Sequence, residues 1–459
     1  LHYEKFPDGT VKCIEDEIPF ELPEGWEWTR LQAICEPITD GTHKTPTYSD
    51  EGFIFLSSKN VTSGHIDWDN IMYIPESLHN ELYARLAPQK NDILLAKNGT
   101  TGVAAIVDRD CIFDIYVSLA LLRIIGYIIS PEYLLSTIAS STIQNYFNSS
   151  LKGIGVPNLH LEHIRTTLIP VAPINEQYRI ATKLEQLLSF ADNIESDKTD
   201  LQTTIQLTKS KILDLAIRGK LVKQNPDDEP ASVLLDRIRA EKEELIKQGK
   251  IKRDKKESVI FRGEDNSYYE KIGDTVTCID EELPFELPDG WIWCRGSSCF
   301  LPMESRKPSG TYFKYIDIDS IDNKHQAIKK AKITETAKAP SRANRAVFDG
   351  SILFSLVRPY LKNIALVDSN NADSIVSTGF YIATSNGTFI PKYLYILMIS
   401  AYVVNGLNQF MKGDNSPSIS KDNIEKWLYP VPPLAEQEKI ADIVQKYIRI
   451  LEDIEKSLS

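Results

Sequence analysis

The sequence predicts an α+β chain with a pseudo-two-fold internal repeat. Two mixed α/β domains are separated and followed by long coiled-coil helices. Three observations carry this expectation. The heptapeptide "FELPEGW" at 20–26 returns as "FELPDGW" at 285–291, 265 positions later. A second block, "IPVAPINEQYRIATKLEQL" at 169–187, returns as "YPVPPLAEQEKIADIVQKY" at 429–447, at an offset of 260. Each second block then runs into an apolar stripe of helical period. Between the blocks, 29–168 and 294–428 share little, so the unit is a fixed frame around a variable domain, used twice.

The expected order is a first domain over 1–174, a helical spacer and linker over 175–268, a second domain over 269–434 and a shortened second helix over 435–459. A chain of 459 residues exceeds one ordinary core. The opening frame extends from "CIEDEIPFELPEGWEW" (13–28) to match "CIDEELPFELPDGWIW" (278–293), placing Trp26 and Trp28 on Trp291 and Trp293. Two identical aromatics cannot distinguish different ligands, so Trp26 and Trp291 are read as mounts for each domain. The apolar run "SLALLRIIGYII" (118–129) is broken by Arg123 and too short to cross a bilayer, so it reads as a buried strand or helix.

In the closing block, Ile180, Leu184, Leu187, Ala191, Ile194, Lys198, Leu201, Ile205, Thr208, Ile212 and Leu215 alternate steps of four and three. This is an a/d seam, polar only at Lys198 and Thr208. Its second copy is Ile440, Val444, Tyr447, Leu451, Ile454 and Leu458. A helix over 176–217 would span about 60 Å at ~1.5 Å per residue, the length of a spacer. Pro226 and Pro230 end it. Residues 231–250 then read as a charged surface helix, and 251–270 as an extended linker. Residues 200–266 occur once, and the chain opens on Leu1; the expectation is that a second copy lay upstream, the alternative that the repeat never had one.

Chemistry-bearing signatures are absent: no GxxxxGK loop, no GxGxxG between strand and helix, no GxSxG. Six cysteines without a CxxC pair, and no charged-then-apolar leader, predict reduced thiols and a cytoplasmic location. "HLEH" (160–163) lacks the HExxH order, so no metal site is expected. The net charge of −12 speaks against a polyanionic partner, but binding depends on local patches. One such patch lies within 337–362, where Lys338, Arg342, Arg345, Arg358 and Lys362 face a single carboxylate, Asp349. It is either a nucleic-acid contact or a solvated face.

Two variable heads on constant helices, without catalytic machinery, suit the reading of two separated sites on one long ligand. The motifs "LPEGWEWTRL", "NEQYRIATKLEQL" and "LAIRGKLV", in this order, resemble the DNA-specificity subunit of type I restriction–modification enzymes. The resemblance covers essentially the whole chain. It implies two target-recognition domains, each reading one half of a split, asymmetric DNA site. It implies antiparallel helical regions that set the spacing and dock two methyltransferase (modification) subunits, with restriction/translocase subunits joining. S-adenosylmethionine, ATP and magnesium are then expected on the partner subunits and none on this chain. The chain departs from the family pattern by lacking the second copy of 200–266. The alternative is a coiled-coil scaffold with two protein-binding heads, which predicts no affinity for DNA.

Candidate DNA contacts follow the loops. In the first domain they are Thr42, His43, Lys44, Thr45 and Lys59 within "ITDGTHKTPTYSDEGFIFLSSKNVTSG" (38–64), where hydroxyls, backbone amides and lysines suit phosphate. Lys97, Asn98, Thr100 and Thr101 follow in "AKNGTTG" (96–102), between expected strands, where a plain hairpin turn is the equal alternative. In the second domain, Arg306, Lys307, Ser309 and Tyr312 stand where the first has its GTHK loop, and Arg358 stands in the place of the Lys97 loop. An arginine there could pair bidentately with guanine. Each domain closes on a Lys-Gly loop, with Lys152 and Asn158 in the first and Lys412 and Ser418 in the second.

Overall fold

The computed structural model describes all residues except 63, 152–156, 252–256 and 459. The chain divides into two compact units, 1–195 and 196–459.

In the first unit a four-stranded antiparallel sheet contains Cys35–Asp40, Leu119–Ile124, Ile93–Ala96 and Ala104–Ile106, in that order. The period of two in the strands decides the layering. Ile93, Leu95, Ala120 and Leu122 point to one face, where they meet Tyr133, Leu134 and Phe147 of the helices Pro131–Ala139 and Ser141–Ser149. Leu94, Ala96, Leu119 and Leu121 point to the other and meet Leu56, Phe113 and Ile115. The latter belong to a three-stranded sheet in which Phe53–Leu56 pairs in parallel with Phe113–Ile115.

The second unit repeats the plan with other side chains. Ile352–Ser355 lies between Ile364–Leu366 and Phe380–Ala383. A four-stranded sheet contains the parallel pair of Tyr312–Ile316 and Ile375–Ser377. The helices Pro391–Ile399 and Ala401–Asn408 cover the face of Ile352, Phe354 and Tyr381.

The duplicated frame folds the same way in each unit. Glu27–Arg30 pairs with Leu168–Val171, and Ile292–Arg295 with Leu428–Val431. Arg30 is held by Glu4, Glu17 and the Thr166 carbonyl, and Arg295 by Glu270, Glu282 and the Lys426 carbonyl. The reason for the repeated Glu-Gln pair is visible at its glutamine. Buried Gln177 accepts from the Ser130 N–H (2.9 Å) and donates to the Ile128 and Ala172 carbonyls (2.9 and 2.8 Å). Buried Gln437 accepts from the Ile390 N–H (2.9 Å) and donates to the Thr388 and Pro432 carbonyls (3.0 Å each). One amide thus pins each helix start to its domain and satisfies three buried backbone groups.

The two long helices are Ile174–Ile217, of 44 residues, and Leu434–Ser457, of 24. Within the second unit they run antiparallel: Gln206 and Lys209 bond Glu455 at one end, while Ala216 and Ile217 share a core with Ile440 and Ala441 at the other. The seam is packed only in part. Ile205, Ile440 and Val444 are buried, Ile212 and Leu215 half-buried, and Ile180 and Leu184 half-buried at the first domain. Leu187 (53% exposed), Ala191, Ile194 and Leu201 stay open, as do Tyr447 and Ile454, with Leu451 intermediate. No helix among the described residues lies along that middle stretch to cover it.

Residues 196–268, expected in a separate spacer, belong to the second unit. The helix Ala231–Lys247 is more than a charged surface element, because Ala231, Leu234 and Leu235 form an i, i+3, i+4 face buried in that unit. The stretch expected as an extended linker contains the strand Ser258–Arg262, paired with Tyr268–Ile272 and burying Ile260. No helix of the described residues is long and apolar enough to cross a membrane.

Candidate nucleic-acid interface

In the first domain the expected strands form the hairpin Ile93–Ala96 and Ala104–Ile106, and its loop 97–102 meets the closing loop of the domain. Two backbone bonds fix the junction: the Lys97 N–H donates to the Ser118 carbonyl (2.8 Å), and the Leu159 N–H donates to the Lys97 carbonyl (3.0 Å). Asn98 then bridges to Asn158. Gly99 takes φ +80°, a left-handed value that costs a glycine little.

The Lys97 side chain departs from expectation. It is 5% exposed, and its Nζ lies 2.5 Å from Oδ2 of buried Asp40. Oδ1 of Asp40 lies 3.3 Å from His43 Nε2. A lysine this deep needs a carboxylate, so its charge is neutralised internally and does not face a ligand. Thr101 is likewise turned inward, its Oγ1 donating to the Lys97 carbonyl (3.2 Å).

What the loop leaves outward is small and polar. Thr42 is fixed by its backbone to Ile115 and Val117 at 3.1 and 3.0 Å. Gly41 beside it passes so close that a Cβ would lie 2.0 Å from the Ile115 carbonyl oxygen. That contact presents His43, Lys44 and Thr45 to solvent. Exposed Lys59 sits on the 3-10 turn Ser58–Val61, locked by the reciprocal Ser57–Asn60 cap. The Ser58 N–H bonds Ser118 Oγ (3.0 Å), and a Cβ on Gly99 would lie 3.8 Å from Ser58 Oγ. Ser118 therefore gathers the Lys59 turn and the 97–102 loop into one patch with Asn98 and Asn158. The side-chain oxygens of Asn98, Thr100 and Asn158 are buried and find no partner among the described residues. Lys152 lies outside the described residues.

The second domain rebuilds this junction from different residues. The Leu356 N–H donates to the Gly379 carbonyl, and the Ile419 N–H to the Leu356 carbonyl, both at 2.9 Å. Val357 bridges to Ser418. By these bonds Leu356 stands at the place of Lys97, and Arg358 at the place of Gly99. Arg358 is in the corresponding loop, as expected, at the place of Gly99, two residues past the place of Lys97. It keeps the left-handed backbone (φ +47°, ψ +57°) although it is no glycine. Its N–H bonds the Pro417 carbonyl (2.8 Å), and its Nη2 bonds the Asn415 carbonyl (2.8 Å). The guanidinium is exposed, with no carboxylate partner among the described residues, and keeps most of its five donors free. Lys412, exposed, is tied to Ser418 by backbone bonds in both directions (3.0 Å).

A second group adjoins this one. The Leu356–Gly379 bond continues to Thr378, whose N–H donates to the Arg342 carbonyl (2.8 Å). Arg342 opens the strand Ala343–Ala346, whose Asn344 carbonyl receives the Arg306 N–H (3.3 Å) and whose Arg345 bridges Ser305. Arg306, Ser309 and Tyr312 line an open depression of about 280 Å³ with Lys314 and Asp373. Lys307 is exposed, Arg342 is exposed, and Arg345 is half-buried with its Nε unpartnered. Lys362 departs from the group. It lines the cleft between the domain and its long helices with Lys209 and Lys392.

Residue-by-residue reading missed the organisers Asp40, Ser118, Gly379 and Asn415. They act through one carboxylate or one carbonyl at a distance in sequence, and no local pattern marks them. Among the described residues there is no cluster of three or more His, Cys, Asp or Glu that could hold a metal ion.

The family model described as the type I restriction modification DNA specificity domain matches residues 23–202 and again 301–459. The chain is 26% identical to the type I restriction enzyme EcoAI specificity subunit of Escherichia coli, over 95% of this chain and 79% of that protein. It is 25% identical to the EcoEI specificity subunit of the same species, over 98% and 82%. Its fold matches the crystal structure of the HsdS subunit from Thermoanaerobacter tengcongensis with a TM-score of 0.55 at 19% identity, covering 96% of this chain and 94% of that one.

Proposed function

The chain belongs to the type I restriction–modification DNA-specificity family, as a DNA-recognition subunit and not an enzyme, and from that premise we propose how its two domains divide the work. Each domain reads one half of a split, asymmetric duplex site through the junction of its hairpin loop with its closing loop. One observation carries this reading: the two junctions share their backbone bonds and differ in the side chains they present. The first offers Asn98, Asn158, Lys59 and the His43–Thr45 loop; the second offers Arg358, Ser418 and Lys412, flanked by Arg306 and Arg342. A constant scaffold with an exchangeable surface is what reading two unlike half-sites requires. Arg358 reads a guanine through its free donors, and the lysines and hydroxyls hold phosphate. The helices set the spacing and dock the methyltransferase subunits, which would hold S-adenosylmethionine. Restriction subunits using ATP and magnesium complete the assembly.

The test is a map of modified bases in the host genome for the wild type, a deletion of this gene and Arg358→Ala. The deletion should remove methylation from one split motif, and Arg358→Ala should relax one half of that motif while the other half stays fixed. Identical maps from wild type and deletion would reject the reading. Binding by the assembled complex should also weaken steeply with salt, because phosphate contacts release counterions.

A further inference from the structure

In each domain the pair of helices behind the hairpin is broken at a serine. Ser140 ends Pro131–Ala139 and caps Ser141–Ser149, its side chain accepting from the Ile143 N–H. Ser400 does the same between Pro391–Ile399 and Ala401–Asn408, accepting from the Val403 N–H. A break of this kind leaves late carbonyls of the first helix without the N–H groups a continuous helix would supply. In the first domain a side chain takes one of them: Gln144 Nε2 donates to the Ile138 carbonyl at 2.8 Å. In the second, the residue four past the serine is Val404, 1% exposed, in the apolar core on which Leu356 packs.

Gln144 also reaches out of the helices. Its Nε2 donates to the Gly102 carbonyl at 3.0 Å, at the end of the hairpin loop 97–102. Gly102 (φ +90°) comes so close that a Cβ would lie 2.7 Å from Gln144 Oε1. The other end of the loop is fixed at Lys97 by its backbone bonds to Ser118 and Leu159. Asn98 stands between these two anchors, bridged to Asn158, and its Oδ1 finds no partner among the described residues. The matching loop of the second domain is seated by packing instead. Buried Pro359 heads the turn Pro359–Leu361, which lies against Ala401–Asn408. An amide therefore does in one domain what apolar surface does in the other.

We propose that Gln144 is a positioning residue for sequence recognition in the first domain. It touches no DNA. By holding the Gly102 carbonyl to the broken helix, it sets the attitude of 97–102 and so the direction in which Asn98 meets a base edge. The proposal rests on the reading that this junction meets the first half-site.

The test is competition binding by the assembled complex, with duplexes carrying the mapped motif and single-base variants of each half. Asn98→Ala examines the underlying reading and should lower discrimination at a base pair of the first half about tenfold. Gln144→Ala should lower it at the same base pair about fivefold, with discrimination in the second half unchanged. Gln144→Met fills the volume without a donor and should lose as much as alanine. Gln144→Lys keeps a donor between the two carbonyls and should recover most of the loss. No effect of Asn98→Ala overturns the reading, and the proposal with it. If Asn98→Ala acts but the Gln144 variants do not, the positioning role alone falls. It falls too if methionine restores discrimination and lysine does not, because the side chain would then serve only to fill space.

Discussion

In the first domain the hairpin loop carries a lysine that is buried and a glycine that turns; in the second, the same two positions carry a leucine and an arginine. Lys97 and Leu356 make the same two backbone bonds, and their neighbours Asn98 and Val357 sit in equivalent bridges to Asn158 and Ser418. The difference lies in where the positive charge goes. Lys97 sends it inward to Asp40, whereas the second domain fills that interior position with an apolar side chain and moves its cation to the turn. A cation in a loop is therefore no evidence of a DNA contact until its side chain has been followed to its partner.

The largest test of that contrast is Lys97→Ala. Removing one member of a buried ion pair strands Asp40 and should cost about 3–5 kcal/mol, read by denaturant unfolding of the whole chain. Arg358→Ala should leave unfolding almost unchanged. Equal stability of the two variants would mean that Lys97 faces solvent after all.

The frame supplies the opposite control, because there the two units agree. Gln177→Ala and Gln437→Ala each strand one backbone N–H and two carbonyls in buried surroundings, and each should cost about 2–3 kcal/mol. Costs that match within about 0.5 kcal/mol would support one shared mounting device. A much smaller value for Gln177→Ala would show that the first frame admits water to those groups.

The frame was also what the sequence disclosed best. Its signals are short and duplicated, and each needs only neighbours in the chain: a Pro-Glu/Asp-Gly-Trp turn and a Glu-Gln helix start. The strand Ser258–Arg262 was hidden because the charged residues around it read as a linker, and only Ile260 reaches a core. The buried face of Ala231–Lys247 was masked by the many charges on its other sides. Lys97 was misplaced for another reason. Its partner is 57 residues away, and nothing in "AKNGTTG" tells which side of the sheet the lysine will enter. Arg358 was rightly placed in its loop, but its counterpart could be identified as Gly99 only from the backbone bonds. Side-chain direction at a loop is set by tertiary contacts, and repeat arithmetic is blind to them.

At the reading surface the expected effect is smaller. Arg358→Ala in the assembled complex should lose about 1–3 kcal/mol of discrimination at one base pair. The other half-site, which we propose is read through Asn98, Asn158 and Lys59, should keep its preference. Competition binding with single-base variants of the mapped motif resolves this. Loss spread evenly over every position would instead assign Arg358 to phosphate.

The smallest effect separates the turn from its side chain. Arg358 holds a left-handed backbone that Gly99 holds at the corresponding place without a Cβ. A side chain there costs of order 1 kcal/mol, and such strain persists where something else requires the residue. Arg358→Ala keeps the Cβ and the strain, while Arg358→Gly removes both. The glycine variant should therefore be more stable than the alanine variant by about 1 kcal/mol, and both should lose the same half-site preference. That combination would show strain retained for the guanidinium alone. If the alanine variant is the more stable, the ordinary entropic penalty of glycine dominates. The turn at 358 would then carry no stored cost, and the arginine's presence would have to rest on its contacts to Asn415 and to DNA.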